Sequence, residues 1–196
     1  MLHKLRDAMA QRDKKYVLGG NVEMDDAFFG APTEGGRRGR GTDKTPAIIE
    51  LELDEQGRPQ YMKAEVVESV NGEAIAEIAK RTIEPDATIY TDGLSPYEKL
   101  SDEGYERYAE NFDAKNNPDH LHWLHTIISN LKAFIGGTYH GIDKKHLQRY
   151  FDEFCYRFNR RKFEGQLFNR LLTACVEGTF MTYKQLIGTD CAEVFA

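Results

Sequence analysis

The chain has 196 residues, enough for one ordinary domain with a small appendage, and its 40% hydrophobic and 30% charged residues exclude a wholly disordered polymer. No apolar run approaches the roughly 20 residues that a bilayer-spanning helix needs, so no membrane partner is expected. The formal net charge of −6 argues against nucleic acid for the molecule as a whole, yet residues 131–170 hold nine Lys and Arg against four Asp and Glu, a local +5, while residues 1–130 hold 16 against 25. Such a basic segment can face a phosphate backbone. A solvated helix face is the plainer alternative.

Residues 2–15 are polar and helix-compatible, and read as a linker. The charges at Lys4, Arg6, Asp7, Arg12, Asp13, Lys14 and Lys15, with no apolar core among them, exclude a secretory signal. Gly19-Gly20 breaks the pattern, and Asn21 to Phe29 reads as a strand. Ala31 to Pro46, with Gly35, Gly36, Gly39 and Gly41 among Arg37, Arg38, Arg40 and Lys44, reads as a basic loop. Ala47 to Leu53 and Tyr61 to Val67 are two further strands joined by the turn Asp54-Glu55-Gln56-Gly57, which predicts an antiparallel meander. Asn71 caps a helix carrying Ala74, Ile75, Ile78 and Ala79, and Pro85 stops it. Ala87 to Tyr90 is a short buried strand ending at Thr91-Asp92-Gly93, Ser95 to Leu100 a helical turn, and Tyr105 to Tyr108 a fifth strand. After the loop Asn116-Asn117-Pro118-Asp119, helices are expected over 120–135, closed by Gly136-Gly137, over 144–161, and over 166–176. Strands followed by helix, strands and helices again predict an α/β fold with a mixed sheet. Cys155, Cys175 and Cys191 are odd in number and form no CxxC pair, so a reducing cytoplasm is the expected setting.

Two features carry chemistry. Asp25 lies inside an apolar strand, where a carboxylate is costly unless something binds it. Asp92 closes another strand. Carboxylates at the ends of neighbouring strands repel when ionised, and a hard divalent cation such as Mg²⁺ relieves that repulsion. The bland alternative is that Asp25 and Asp26 face water and Asp92-Gly93 is only a turn. The second feature is the run Asp119-His120-Leu121-His122-Trp123-Leu124-His125, followed by Lys132. On a helix His122 and His125 share a face, and Lys132 returns to it two turns later. One helix face would then offer a metal-ligating or water-orienting imidazole and a cation for phosphate. A zinc site of His120, His122 and His125 is a weaker alternative, because i, i+2 and i+5 do not share one helix face.

Taken in order, Val22-Glu23-Met24-Asp25-Asp26-Ala27-Phe28-Phe29-Gly30, Tyr90-Thr91-Asp92-Gly93 with Tyr97, Leu131-Lys132, Gly137-Thr138-Tyr139-His140, His146-Leu147, Tyr150, Asp152-Glu153-Phe154 and Arg157-Phe158-Asn159-Arg160-Arg161 form a pattern. It resembles the ISXO-like DDE transposases of bacterial insertion sequences, relatives of the Merlin elements, over about residues 15–176. The resemblance implies a ribonuclease-H-like fold, a mixed sheet flanked by helices, that cuts and joins DNA ends. Asp25, which follows Val-Glu-x, and Asp92, in Thr-Asp-Gly, are the implied first and second acidic residues. His125, seven residues before Lys132, takes the third position, where many relatives carry Glu or Asn. The usual His-Thr-Asn-x-x-Glu reads His120-Leu121-His122-Trp123-Leu124-His125 here, and Ile128 stands where a Trp is usual.

The implied cofactor is a pair of Mg²⁺ ions about 3.5–4 Å apart, with Mn²⁺ tolerated, held by Asp25, Asp92 and His125. Lys132 is the implied contact to a phosphate near the cut. Arg37, Arg38, Arg40, Lys144, Lys145, Arg149, Arg157, Arg160 and Arg161 are the expected DNA-backbone residues, with intrachain pairing to Asp152, Glu153 or Glu164 the alternative for the last three. The expected partners are DNA, as element ends and target, and further copies of the chain, and the expected location is the nucleoid within the cytoplasm. Relatives usually carry an upstream DNA-recognition region. The expected organisation is therefore a linker helix over 1–18, a catalytic domain over 19–178 and a tail over 179–196, with specific end recognition lying elsewhere. A truncated remnant that binds DNA or a partner copy without catalysis is the alternative function.

Overall fold

Alternation of apolar and polar residues from Asn21 onward builds β1 (Asn21–Phe29), with Val22 and Met24 fully buried on one face and Glu23, Asp25, Ala27 and Phe29 turned to the other. The structure, a computed structural model, describes residues 1–30, 44–110, 120–138 and 142–179, together with 182 and 185. It divides into two compact units, Tyr16–Ile142 and Met1–Lys15 with Asp143–Ala196.

In the first unit, β2 (Thr45–Leu53) and β3 (Pro59–Val66) join β1 in an antiparallel meander. The Asp54 carboxylate organises the β2–β3 turn. It accepts from the backbone N–H groups of Gln56 and Arg58 at 3.0 and 2.8 Å, and from Arg58 Nε at 2.8 Å. These donors hold its carboxyl down at about 2. Gly57 completes the turn at φ +71°, a conformation open to glycine. On the opposite side of β1, β4 (Thr88–Thr91) pairs in parallel, and β5 (Glu106–Ala109) adds in parallel to β4. The resulting order, β3-β2-β1-β4-β5, is the expected ribonuclease-H-like mixed sheet.

One face of the sheet is covered by α2 (Gly72–Thr82), whose Ile75, Ile78 and Ala79 pack on Val22, Met24, Ile48 and Ile89. Asn71 caps α2 as expected, its side chain accepting from Ala74 N–H at 2.8 Å. Replacing Asn71 by Ala should cost about 1 kcal/mol of stability, read as a lower urea midpoint at unchanged slope. A short helix, α3 (Lys99–Asp102), precedes β5. Glu50 on β2 is 1% exposed and also faces α2. Its Oε1 lies 2.7 Å from Thr82 Oγ1, which in turn lies 2.6 Å from the Ile78 carbonyl.

The opposite face carries α4 (His122–Thr138), with Leu124, Ile127, Ile128 and Leu131 buried against the strands. The helix was expected from residue 120 but begins at His122. Leu121 has φ +50°, a left-handed conformation that cannot continue a right-handed helix backwards. No helix among the described residues is long and apolar enough to cross a membrane.

The second unit packs α1 (Leu2–Asp13) on α5 (Leu147–Asn159) and α6 (Leu167–Glu177). Arg6, 4% exposed, donates from Nε to Glu153 at 2.8 Å and lies over the Tyr150 ring. At the other end of α1, Asp13 meets Arg160 Nη2 at 2.6 Å and Asn159 Nδ2 at 3.1 Å. The expected single helix over 144–161 is shorter. Lys144–His146 forms a 3-10 turn capped by the Asp143 side chain, and α5 starts after it.

Candidate active site

The parallel pairing of β1 with β4 decides the geometry of the site. Met24 pairs with Thr91, the last residue of β4, so Asp25 and Asp92 are the residues that directly follow this last paired position. Val22, Met24 and Ile89 belong to the α2 core, so alternation turns Glu23, Asp25, Tyr90 and Asp92 to the α4 face. Asp25 Oδ1 accepts from Asp26 N–H at 2.8 Å, and Asp92 Oδ1 accepts from Leu94 N–H at 3.2 Å. Each carboxylate is thus oriented by its own backbone.

α4 brings the histidine. His125 Nε2 is 3.4 Å from Asp25 Oδ2. The hydrogen bond to Asp25 raises the imidazole above its usual value against the opposing effect of burial, and the charges of Asp25, Glu23 and Asp92 add to the rise. Of the three side chains expected to gather, His125 and Asp25 are in contact, and the charge of Asp92 is felt at His125. Two turns further along α4, the Lys132 ammonium lies 5.8 Å from the Phe29 ring centroid, on the same face of β1 as Asp25. The other two histidines take different surroundings. His120 Nδ1 stands 4.0 Å from Glu110, and the charge of His122 is felt at Glu23.

A divalent cation can be tested against this donor set. Two adjacent carboxylates and one imidazole are the hard-oxygen and borderline-nitrogen donors that suit Mg²⁺ or Mn²⁺. The kind of donor fits. Among the described residues no three such side chains are drawn tightly enough around one point to hold an ion, and Asp25 Oδ2 is turned to His125. Binding would need the imidazole and carboxylate to part and face the ion together.

Two residues that shape the site escaped the sequence reading. Glu23, 8% exposed, accepts from the buried N–H of Leu124 at 3.0 Å, in the first turn of α4. The residue opening that turn, Leu121, has no side-chain acceptor of its own, so a carboxylate from β1 does the capping. Burial raises the Glu23 carboxyl, and the Leu124 N–H acts against that rise. The signal was present in the strand, since Glu23 and Asp25 share a face in strict alternation. Arg107 on β5 donates from Nε to Thr91 Oγ1 at 2.8 Å and from Nη2 to the Asp92 carbonyl at 3.0 Å, which fixes the end of β4 where Asp92 sits. Nothing in the spacing of Arg107 announces this. Replacing Arg107 by Ala should cost about 2 kcal/mol of stability, with Lys recovering only part, as measured by urea unfolding.

The expected DNA-binding residues are placed unequally. Arg37, Arg38 and Arg40 lie outside the described residues. Lys144 and Lys145 are exposed, and Lys145 pairs with Asp143 at 3.1 Å. Arg149 is partly exposed at the start of α5. Arg157, largely exposed, makes a loose 3.4 Å pair with Glu153. Arg161 lies over the Phe158 ring and donates to the Phe158 carbonyl. Arg160 is 5% exposed and committed to Asp13, the Tyr156 carbonyl and the Tyr156 ring.

With this geometry described, comparison with known proteins is informative. Residues 17–159 match the profile of a family described as the ISXO2-like transposase domain. A protein of Haemophilus influenzae named "Uncharacterized transposase-like protein" is 23% identical over 118 residues, 59% of this chain and 94% of that one. Two solved structures show a distant likeness. The catalytic core domain of BIV integrase has a TM-score of 0.45 at 11% identity, covering 71% of this chain and 82% of that one. The Mos1 mariner paired end complex with Mn has a TM-score of 0.35 at 14% identity, covering 92% of this chain and 63% of that one.

Proposed function

The chain belongs to the ISXO2-like transposase family, and from that premise we infer that Asp25, Asp92 and His125 form the metal-dependent centre of a DNA transposase, which cuts and joins strands at insertion-sequence ends. What supports this reading is that Asp25 and Asp92 directly follow the last paired residues of two parallel strands, Met24 and Thr91, and that His125 stands 3.4 Å from Asp25. A pair of Mg²⁺ ions, or Mn²⁺, would supply the activation of a water or a 3′-hydroxyl and the stabilisation of the leaving oxygen. Asp25 and Asp92 would hold that charge in place. Their backbone hydrogen bonds hold one oxygen of each carboxylate, while Asp25 Oδ2 would have to turn from His125 to the ion. His125 completes the donor set or orients the attacking oxygen. A neutral imidazole brings no negative charge, so the ions are held less tightly than they would be by a Glu at this position.

Lys132 lies on the same face as Asp25 and, as a point charge, suits a phosphate beside the reacting one. Lys144, Lys145, Arg149, Arg157 and Arg161, with Arg37, Arg38 and Arg40, are the proposed backbone contacts, each weakening with salt. Arg160 is already spent on α1. Action by two or more copies on paired ends is proposed by analogy within the family. The contact of His125 with Asp25 also supports a second reading, a chain that holds DNA without cutting it. Labelled duplexes carrying the element ends distinguish the two. Cleavage to 3′-hydroxyl products that requires Mg²⁺ or Mn²⁺ and stops with chelator supports the transposase, and DNA binding with no metal-dependent product supports the remnant.

A further inference from the structure

We propose that Tyr108, stacked on Tyr90, is a platform for an unpaired nucleobase of the DNA strand whose phosphate lies at Asp25 and Asp92; this rests on the transposase reading and adds a second contact to it. In the parallel half of the sheet Glu23 pairs with Tyr90, and Tyr90 with Tyr108. By alternation the two rings share the face of the carboxylates, which stand two residues further along. From Tyr108, Asp92 lies two residues along and one strand across, about 8 Å at the backbone, within reach of one extended nucleotide.

The rings lie 5.6 Å apart between centroids at an interplanar angle of 19°. The Tyr108 hydroxyl donates to Glu106 Oε1 at 2.9 Å, and Glu106 Oε2 accepts from Thr88 Oγ1 at 3.1 Å. Tyr108 is thus held by Tyr90 and by a tether at its tip, so it loses little freedom when something stacks on it. It is nevertheless 51% exposed, on the strand that forms the sheet edge. A pair serving the sheet alone would gain by covering that ring.

Charge selects the occupant. Glu106 at the ring tip repels a phosphate, whereas a neutral base offers a π-face to any aromatic ring. A base reaches the ring only when it is out of the duplex stack, which is how enzymes acting within duplexes expose a nucleotide.

The test uses the whole chain and a short oligothymidine carrying one 2-aminopurine, whose fluorescence falls on stacking. Tyr108→Phe keeps the ring and loses only the tether to Glu106, so it should quench as the wild-type chain does and bind no more than about threefold more weakly. Tyr108→Ala and Tyr108→Leu should bind about tenfold more weakly and quench less, with an unchanged salt slope because no phosphate contact is lost. Thermal unfolding confirms that the Leu variant is folded. Wild-type binding and quenching by Tyr108→Ala overturns the platform, as does a loss in Tyr108→Phe equal to that in Tyr108→Ala. Metal-dependent cleavage of element ends by the wild-type chain, scored in parallel, reports on the transposase reading alone. A platform failure with cleavage intact leaves that reading standing. Quenching that depends on Tyr108 in a chain that never cleaves keeps the platform as a single-strand contact and removes the transposase.

Discussion

Asp92→Asn, and separately Asp25→Asn, should lower metal-dependent strand cleavage by about a thousandfold or more, roughly 4 kcal/mol of barrier at about 1.4 kcal/mol per decade. These substitutions keep the side-chain shape and remove charge, and at position 25 they also weaken the contact with His125. An Asn at 92 still presents an oxygen to Leu94 N–H, and one at 25 still accepts from Asp26 N–H, so both local turns survive. Each loses the negative charge proposed to hold a cation there. Thermal unfolding of both variants should therefore stay close to wild type while the product of a labelled-end cleavage assay vanishes. His125→Ala should be milder, because an imidazole contributes no formal charge to the ion. If both Asn variants cleave at the wild-type rate, these carboxylates are not the catalytic pair.

The second large effect concerns stability and Glu50. Thr82 has one hydroxyl proton but two oxygens at hydrogen-bond distance, the Ile78 carbonyl and Glu50 Oε1. The hydroxyl can donate to only one of them at a time, so it compensates a buried Glu50 carboxylate only in part. Burial dominates, pushing the Glu50 carboxyl from 4.5 up to about 7, with the Thr82 hydrogen bond, Lys63 and Arg81 pulling down and Glu65 pushing up. The folded chain holds the carboxyl proton more tightly than the unfolded one. The corresponding stability is complete below about pH 4.5 and disappears as pH rises through about 7. Above that, folding carries a buried carboxylate at a cost of about 3 kcal/mol. Glu50→Gln removes the titration. Its stability relative to wild type should rise by about 3 kcal/mol between pH 4.5 and pH 8, on top of a constant offset of about 1 kcal/mol for an amide N–H without an acceptor. Urea unfolding of both proteins across that range measures the difference, and a flat difference sinks the assignment.

Elements whose cause is local were legible in the sequence. β1 was readable from alternation, the meander from the Asp54–Gly57 turn, and α2 from the Asn71 cap and its apolar spacing. The carboxylate pair was legible because each member ends or interrupts an apolar strand, and because the motif around it resembles a known family. What escaped depends on partners distant in sequence. Glu23 caps a helix 101 residues away, and Arg107 serves the Asp92 carbonyl from a strand edge. Arg160 looked like a phosphate ligand beside Arg161, yet its partner is Asp13 near the other end of the chain. The start of α4 was misjudged by two residues because Leu121, a good helix former, is held in a left-handed conformation by its surroundings.

The parallel pairing of β1 with β4 also orders events during synthesis. The β1–β3 meander can form as soon as it leaves the ribosome, since its contacts are local. Met24 must wait for Thr91, and Asp25 must wait longer for His125. A nascent, stalled or prematurely ended polypeptide that stops before β4 therefore carries a foldable meander and Asp25 without Asp92, and lacks the paired carboxylates of the proposed centre.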